Sequence, residues 1–95
     1  MWCGNCEEPY SDDELNKTAY GDYLCDYCWS DYICSEAGKH EYLIGICKGE
    51  YPVSDFDADF LGEVANSWRK HNRSLEFLPS ERAEIEIKAR ELGIL

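Results

Sequence analysis

Ninety-five residues carry 20 acidic side chains against 9 basic ones, a formal charge of −11 at pH 7. A chain of this length supports one core rather than two, and this charge would repel nucleic-acid phosphates and anionic lipid. With 44% hydrophobic and 14% aromatic residues, the composition is not that of a disordered tail. No apolar run approaches the roughly 20 residues that cross a bilayer, so no membrane role is expected. Met1-Trp2-Cys3 leads directly into the domain without a basic and apolar leader, so a cytoplasmic location is expected.

The first feature along the chain is a pair of Cys-x-x-Cys motifs, Cys3-Gly4-Asn5-Cys6 and Cys25-Asp26-Tyr27-Cys28, separated by eighteen residues. Two residues between ligands let one turn present both sulfurs to a single ion at about 2.3 Å, and two such turns complete a closed tetrahedron. The spacing predicts one structural Zn2+ held by Cys3, Cys6, Cys25 and Cys28. Residues 1–36 offer only Leu15, Leu24 and Ile33 as large aliphatics. That is too little apolar area to hold so short a segment without a coordinate or covalent staple.

Between the motifs, Lys17 to Tyr20 and Tyr23-Leu24 flank Gly21-Asp22, which reads as a tight hairpin turn. A helix over Trp29 to Ile33 is expected directly after the fourth ligand. Tyr42 to Cys47 is a short apolar run suited to a buried strand, closed by Gly49 and Pro52. Ser54 and Asp57 have capping-box spacing, and Phe56, Phe60, Leu61, Val64, Ala65 and Trp68 recur at helical intervals, with Asn72 as the stop. Pro79 and Ser80 open a second helical stretch from Glu81 to Leu92, supported by Glu84 to Lys88 and Glu86 to Arg90 pairs and ended by Gly93. The expected fold class is therefore α+β: a zinc-binding module over 1–36, then a strand and two helices over 37–95, packed on it as one continuous domain.

The order of knuckle, hairpin and helix resembles the treble-clef zinc fingers over roughly residues 2–34. That resemblance implies that Cys3 and Cys6 ligate from the knuckle and Cys25 and Cys28 from a helix N-terminus, where the dipole favours thiolates. The paired motifs are also loosely similar to the small Gin-type anti-sigma factors of sporulating bacteria, which are non-enzymatic inhibitors. Several readings compete with zinc. Six cysteines could pair as disulfides, and Trp2-Cys3-Gly4-Asn5-Cys6 is similar to the Trp-Cys-Gly-Pro-Cys site of thioredoxins, although no strand precedes it. The same four thiolates would also hold iron, as in a rubredoxin-like electron-transfer protein. Cys34 and Cys47 remain; Cys47 reads as core, and the alternative is a second metal position with His40. His71 reads as a solvated partner of a helix dipole.

No phosphate loop, His-Glu-x-x-His or Gly-x-Ser-x-Gly motif occurs, and the carboxylate clusters at Asp12-Asp13-Glu14 and at Asp55, Asp57 and Asp59 read as turn and cap chemistry. A non-enzymatic role is expected. Residues 1–51 hold 11 acidic and 3 basic side chains, against 9 and 6 over 52–95. Acidity therefore concentrates beside the cysteines, where Tyr10, Asp12, Asp13, Glu14, Tyr20, Asp22, Tyr23, Tyr27 and Asp31 are the candidate surface for a basic protein partner. RNA polymerase or its sigma subunit leads among partners, because such surfaces hold polyanions; the size suits a phage-encoded or bacterial regulator. The alternative is a nucleic-acid-binding zinc protein that uses Arg69, Lys70, Arg73 and Arg82.

Overall fold

The first regular structure is a hairpin. The structure, a computed structural model, describes residues 1–95 and pairs β1 (Leu15–Lys17) antiparallel with β2 (Tyr23–Cys25), placing Leu15 opposite Cys25 and Lys17 opposite Tyr23. The connection is longer than the expected two-residue turn. Buried Thr18 closes it, its Oγ1 accepting from the Tyr20 and Asp22 amides at 3.2 Å each. Gly21 supplies the left-handed φ of 89° that a side chain would resist.

β2 runs straight into α1 (Asp26–Cys34), with Cys25 as its N-cap residue. The helix thus starts ahead of Cys28 rather than after it. The next element corrects the sequence expectation: Tyr42 to Cys47 is not a strand but most of α2 (His40–Cys47). Leu43, Ile44, Gly45 and Ile46 are all buried, because this helix packs against other elements on several sides and so shows no polar face for periodicity to detect. Gly45 allows the Tyr51 ring to close on the helix, since an added Cβ would lie 2.4 Å from that ring. Gly49, with φ of 82°, ends α2 as the left-handed residue after the C-cap.

The helix α3 (Ala58–His71) begins at Asp57, whose carboxylate accepts from the Phe60 amide at 2.7 Å. Ser54 sits instead in a 3-10 turn over Val53–Asp55, so the cap falls three residues later than its pairing with Asp57 implies. α4 (Pro79–Glu91) starts on its proline, and Gly93 follows it with φ of 79°. Neither expected Glu-to-Lys or Glu-to-Arg pair on α4 closes into an ion pair; Glu86 instead accepts from the Trp68 indole at 3.3 Å.

The result is a small α+β molecule with two apolar clusters. The larger joins α2, α3 and α4 through Leu43, Ile44, Ile46, Val64, Ala65, Trp68, Leu75, Ile85, Ala89 and Ile94. The smaller contains only Cys3, Leu24, Cys25 and Cys28. No helix is long and apolar enough to cross a membrane.

Candidate metal centre

Short-range backbone bonds set the positions of all four sulfurs. Residues 2–9 fold back on themselves: Trp2 bridges Pro9, the Cys3 amide donates to the Glu8 carbonyl, and the Glu7 amide donates to the Cys3 carbonyl, each at 3.0 Å. Gly4 ties this knuckle to β2 through the Tyr23 carbonyl at 2.7 Å. Cys25 ends β2 and Cys28 lies in the first turn of α1, so strand and helix together aim the second pair at the first.

The sulfur positions fit a metal. Four sulfurs bound at about 2.3 Å to one tetrahedral ion stand about 3.8 Å apart. Cys6 and Cys25 Sγ are 3.9 Å apart, and all four Sγ atoms lie within 4.8 Å of one another. A disulfide needs about 2.05 Å, and all six cysteines are unpaired. Outer contacts orient the donors: the Cys25 amide donates to Cys3 Sγ at 3.4 Å and Asn5 Nδ2 to Cys28 Sγ at 3.5 Å.

Proton affinities across the cluster point the same way. Burial opposes the Cys3 thiolate, but the amides of Cys6, Cys25 and Asn5 outweigh it and bring the thiol down to about 6. The Cys28 amide likewise lowers Cys25. At Cys28 the Asn5 amide favours the thiolate, yet burial and the three neighbouring sulfurs push it up to about 12. Four thiolates this close together repel one another, and a cation among the sulfurs would relieve that repulsion. The four cysteines could therefore hold a metal ion such as zinc, with no fifth donor and no open position.

The other predicted residues are scattered around this centre. Tyr10 is half-buried against it, 4.0 Å from Cys6 Sγ, and donates to Glu8 at 3.1 Å. Tyr20 turns inward onto the His40 ring, 5.4 Å between centroids, and Tyr23 is half-buried. Tyr27 is the exposed one, at 86%, with Asp31 one turn along the same helix. Asp12, Asp13 and Glu14 form an exposed 3-10 turn, and Asp22 is exposed on the hairpin loop. Cys47 is half-buried against the larger cluster, its thiol donating to the Ile85 carbonyl at 3.4 Å. Cys34 is exposed, and Cys34, His40 and Cys47 do not come together as a donor group. His71 is half-buried, its ring 5.9 Å from that of His40, rather than solvated. Of the suggested basic patch, Lys70 pairs with Glu36, Arg69 donates to Asn66, and Arg82 is half-buried.

A polar cluster between the two apolar ones had no signal in the sequence. His40 is fully buried; its amide and Nδ1 face Ser67 Oγ at 3.1 and 3.3 Å, and that hydroxyl donates to the Glu36 carbonyl at 2.8 Å. The hydroxyl proton is thus committed, so His40 must carry its own proton on Nδ1. Burial first, then the charge of His71, holds His40 down to about 4. Glu41 accepts from the Ala19 amide at 2.5 Å and from Tyr32 at 3.5 Å, and burial raises it. The chain matches no family model, no curated protein and no solved structure.

Proposed function

We propose that this chain is a non-enzymatic binding protein, stapled by one structural zinc, that docks its acidic module on a basic protein surface. The observation that carries the reading is electrostatic. Glu7, Glu8, Asp12, Asp13, Glu14, Asp22, Asp26 and Asp31 are all exposed, and none forms an ion pair; the two ion pairs, Lys39–Glu63 and Lys70–Glu36, lie between residues 36 and 70. Carboxylates left unpaired on a folded surface raise the on-rate for a cationic partner. A closed four-sulfur site supports architecture rather than catalysis, because a metal there has no position for substrate. The knuckle, hairpin and helix around it support the treble-clef reading of this module.

Among basic surfaces, RNA polymerase and its sigma subunit remain the favoured partners, since a compact polyanion can compete there with DNA. The test is a binding titration of zinc-loaded chain against purified polymerase core and sigma at increasing salt, with duplex DNA in parallel. Affinity for polymerase or sigma that falls with salt, without affinity for DNA, is expected. Binding to DNA alone would replace this reading with the nucleic-acid one. Colourless as-isolated protein separates zinc from iron in the same preparation.

A further inference from the structure

The knuckle carries two side chains, those of Trp2 and Glu7, that are not among the four sulfur donors. Trp2 is 64% exposed, although burying an indole is among the largest apolar gains open to a small domain. Glu7 holds a left-handed φ of 59°, the only residue other than glycine to do so. That geometry strains a side chain and suits glycine. The two residues line one open cleft of about 470 Å³ with Cys3 and Gly4. The Trp2–Pro9 bridge and the Cys3–Glu7 and Cys3–Glu8 backbone bonds fix the backbone of Trp2 and Glu7 relative to each other. The Glu7 carboxylate makes no hydrogen bond or ion pair within the chain.

We propose that Trp2 and Glu7 form a receptor for an arginine side chain on a basic protein partner, the indole taking the flat face of the guanidinium and the carboxylate its forked edge. This deepens the reading of a basic partner and rests on it. The choice of arginine follows from the pairing. An aliphatic side chain would desolvate Glu7 without compensation. A phosphate or carboxylate would meet Glu7, Glu8 and the thiolates behind them. Lysine offers a point charge that does not lie flat on an aromatic ring, whereas a guanidinium stacks on indole and binds carboxylate bidentately.

The test uses the zinc-loaded full chain with two short peptides of equal length and charge, one built on arginine and one on lysine, followed by calorimetry and tryptophan fluorescence. The wild type is expected to prefer the arginine peptide and to shift its emission on binding. Trp2→Ala and Glu7→Gly are each expected to weaken arginine-peptide binding roughly tenfold and to reduce the arginine preference. Because Glu7→Gly relieves the left-handed backbone, it is expected to melt no lower than the wild type and to retain its metal, which separates lost recognition from lost folding. Arginine and lysine peptides bound equally, or variants that bind like the wild type, would overturn the receptor and leave the basic-partner reading standing. Failure of the wild type to bind either peptide at low salt would overturn both.

Discussion

The two ends of the molecule solve the same stability problem by different means. Around the sulfurs the buried cluster has four members and three of them are cysteines, whereas ten apolar residues fill the space between α2, α3 and α4. A metal held by the four cysteines would concentrate the first region's stabilisation in a few coordinate bonds, and the region leaves Tyr27 and its carboxylates on the surface. The second relies on buried apolar area. The regions meet at Ala19, whose amide donates to Glu41 on α2 and whose carbonyl accepts from Glu76 ahead of α4.

If that division is real, metal removal has the largest effect and a confined one. Structural zinc contributes about 10–16 kcal/mol of apparent binding energy in zinc-finger peptides, far beyond what the short aliphatic complement of residues 1–36 supplies. Chelation, or Cys28→Ser, is expected to collapse the dispersed amide resonances of the hairpin and α1 while α3 and α4 keep their helical circular dichroism. Spectra that ignore chelation would remove the premise. The converse variant is Trp68→Ala. Trp68 is 1% exposed at the centre of the larger cluster, and its truncation is expected to cost about 3–5 kcal/mol by urea denaturation. Metal stoichiometry, read by mass spectrometry of the folded protein, should stay at one.

Gly38→Ala probes the joint itself. An added Cβ would stand 2.0 Å from the backbone oxygen of Tyr32, where α1 turns towards α2, so backbone rather than a flexible side chain must move. A loss of roughly 1–3 kcal/mol is expected, with amide shifts spreading into both regions rather than staying in one. Shifts confined to α2 would mean that the module and the helices are more independent than the Ala19 bonds imply.

How much of this was legible beforehand depends on how far apart in sequence the determinants lie. The four donor positions follow from two-residue spacings within single turns, so the sulfur cluster could be read directly. Pro79, Asn72 and Gly93 mark helix ends by local rules, and those boundaries agree with α3 and α4. α2 reads as a strand in the sequence because a helix enclosed by its neighbours presents the unbroken apolar run of a buried strand; Gly49, which reads as a turn, is its C-terminal stop. Ser54 and Asp57 read as one capping box headed by Ser54, and only the Phe60 amide bond places the cap on Asp57. The inward turn of Tyr20 depends on His40, and that of His40 on Ser67, 27 residues away. No window along the chain contains such a contact.

The smallest expected effect comes from that same His40, because a neighbour offsets it. Its folded value of about 4 lies below the ordinary 6.5, so the unfolded chain binds the extra proton. Its contribution to stability is complete above pH 6.5 and is lost as pH falls towards 4. Glu41 is raised from 4.5 by burial, so its contribution has the opposite sign, greatest at low pH and lost as pH climbs through its folded value. Over pH 4 to 6.5 the two slopes partly cancel. Glu41→Gln keeps an acceptor for the Ala19 amide and removes one slope, so thermal melts of this variant are expected to steepen with pH relative to the wild type. The proton demand of the four thiols is common to both proteins and drops out of that difference. Nitrogen-edited spectra of the wild type should show His40 neutral and protonated on Nδ1 down to about pH 4. A titration midpoint near 6.5 for His40 would mean that Ser67 and Tyr20 do not enclose it as described, and the polar joint between the two regions would lose its basis.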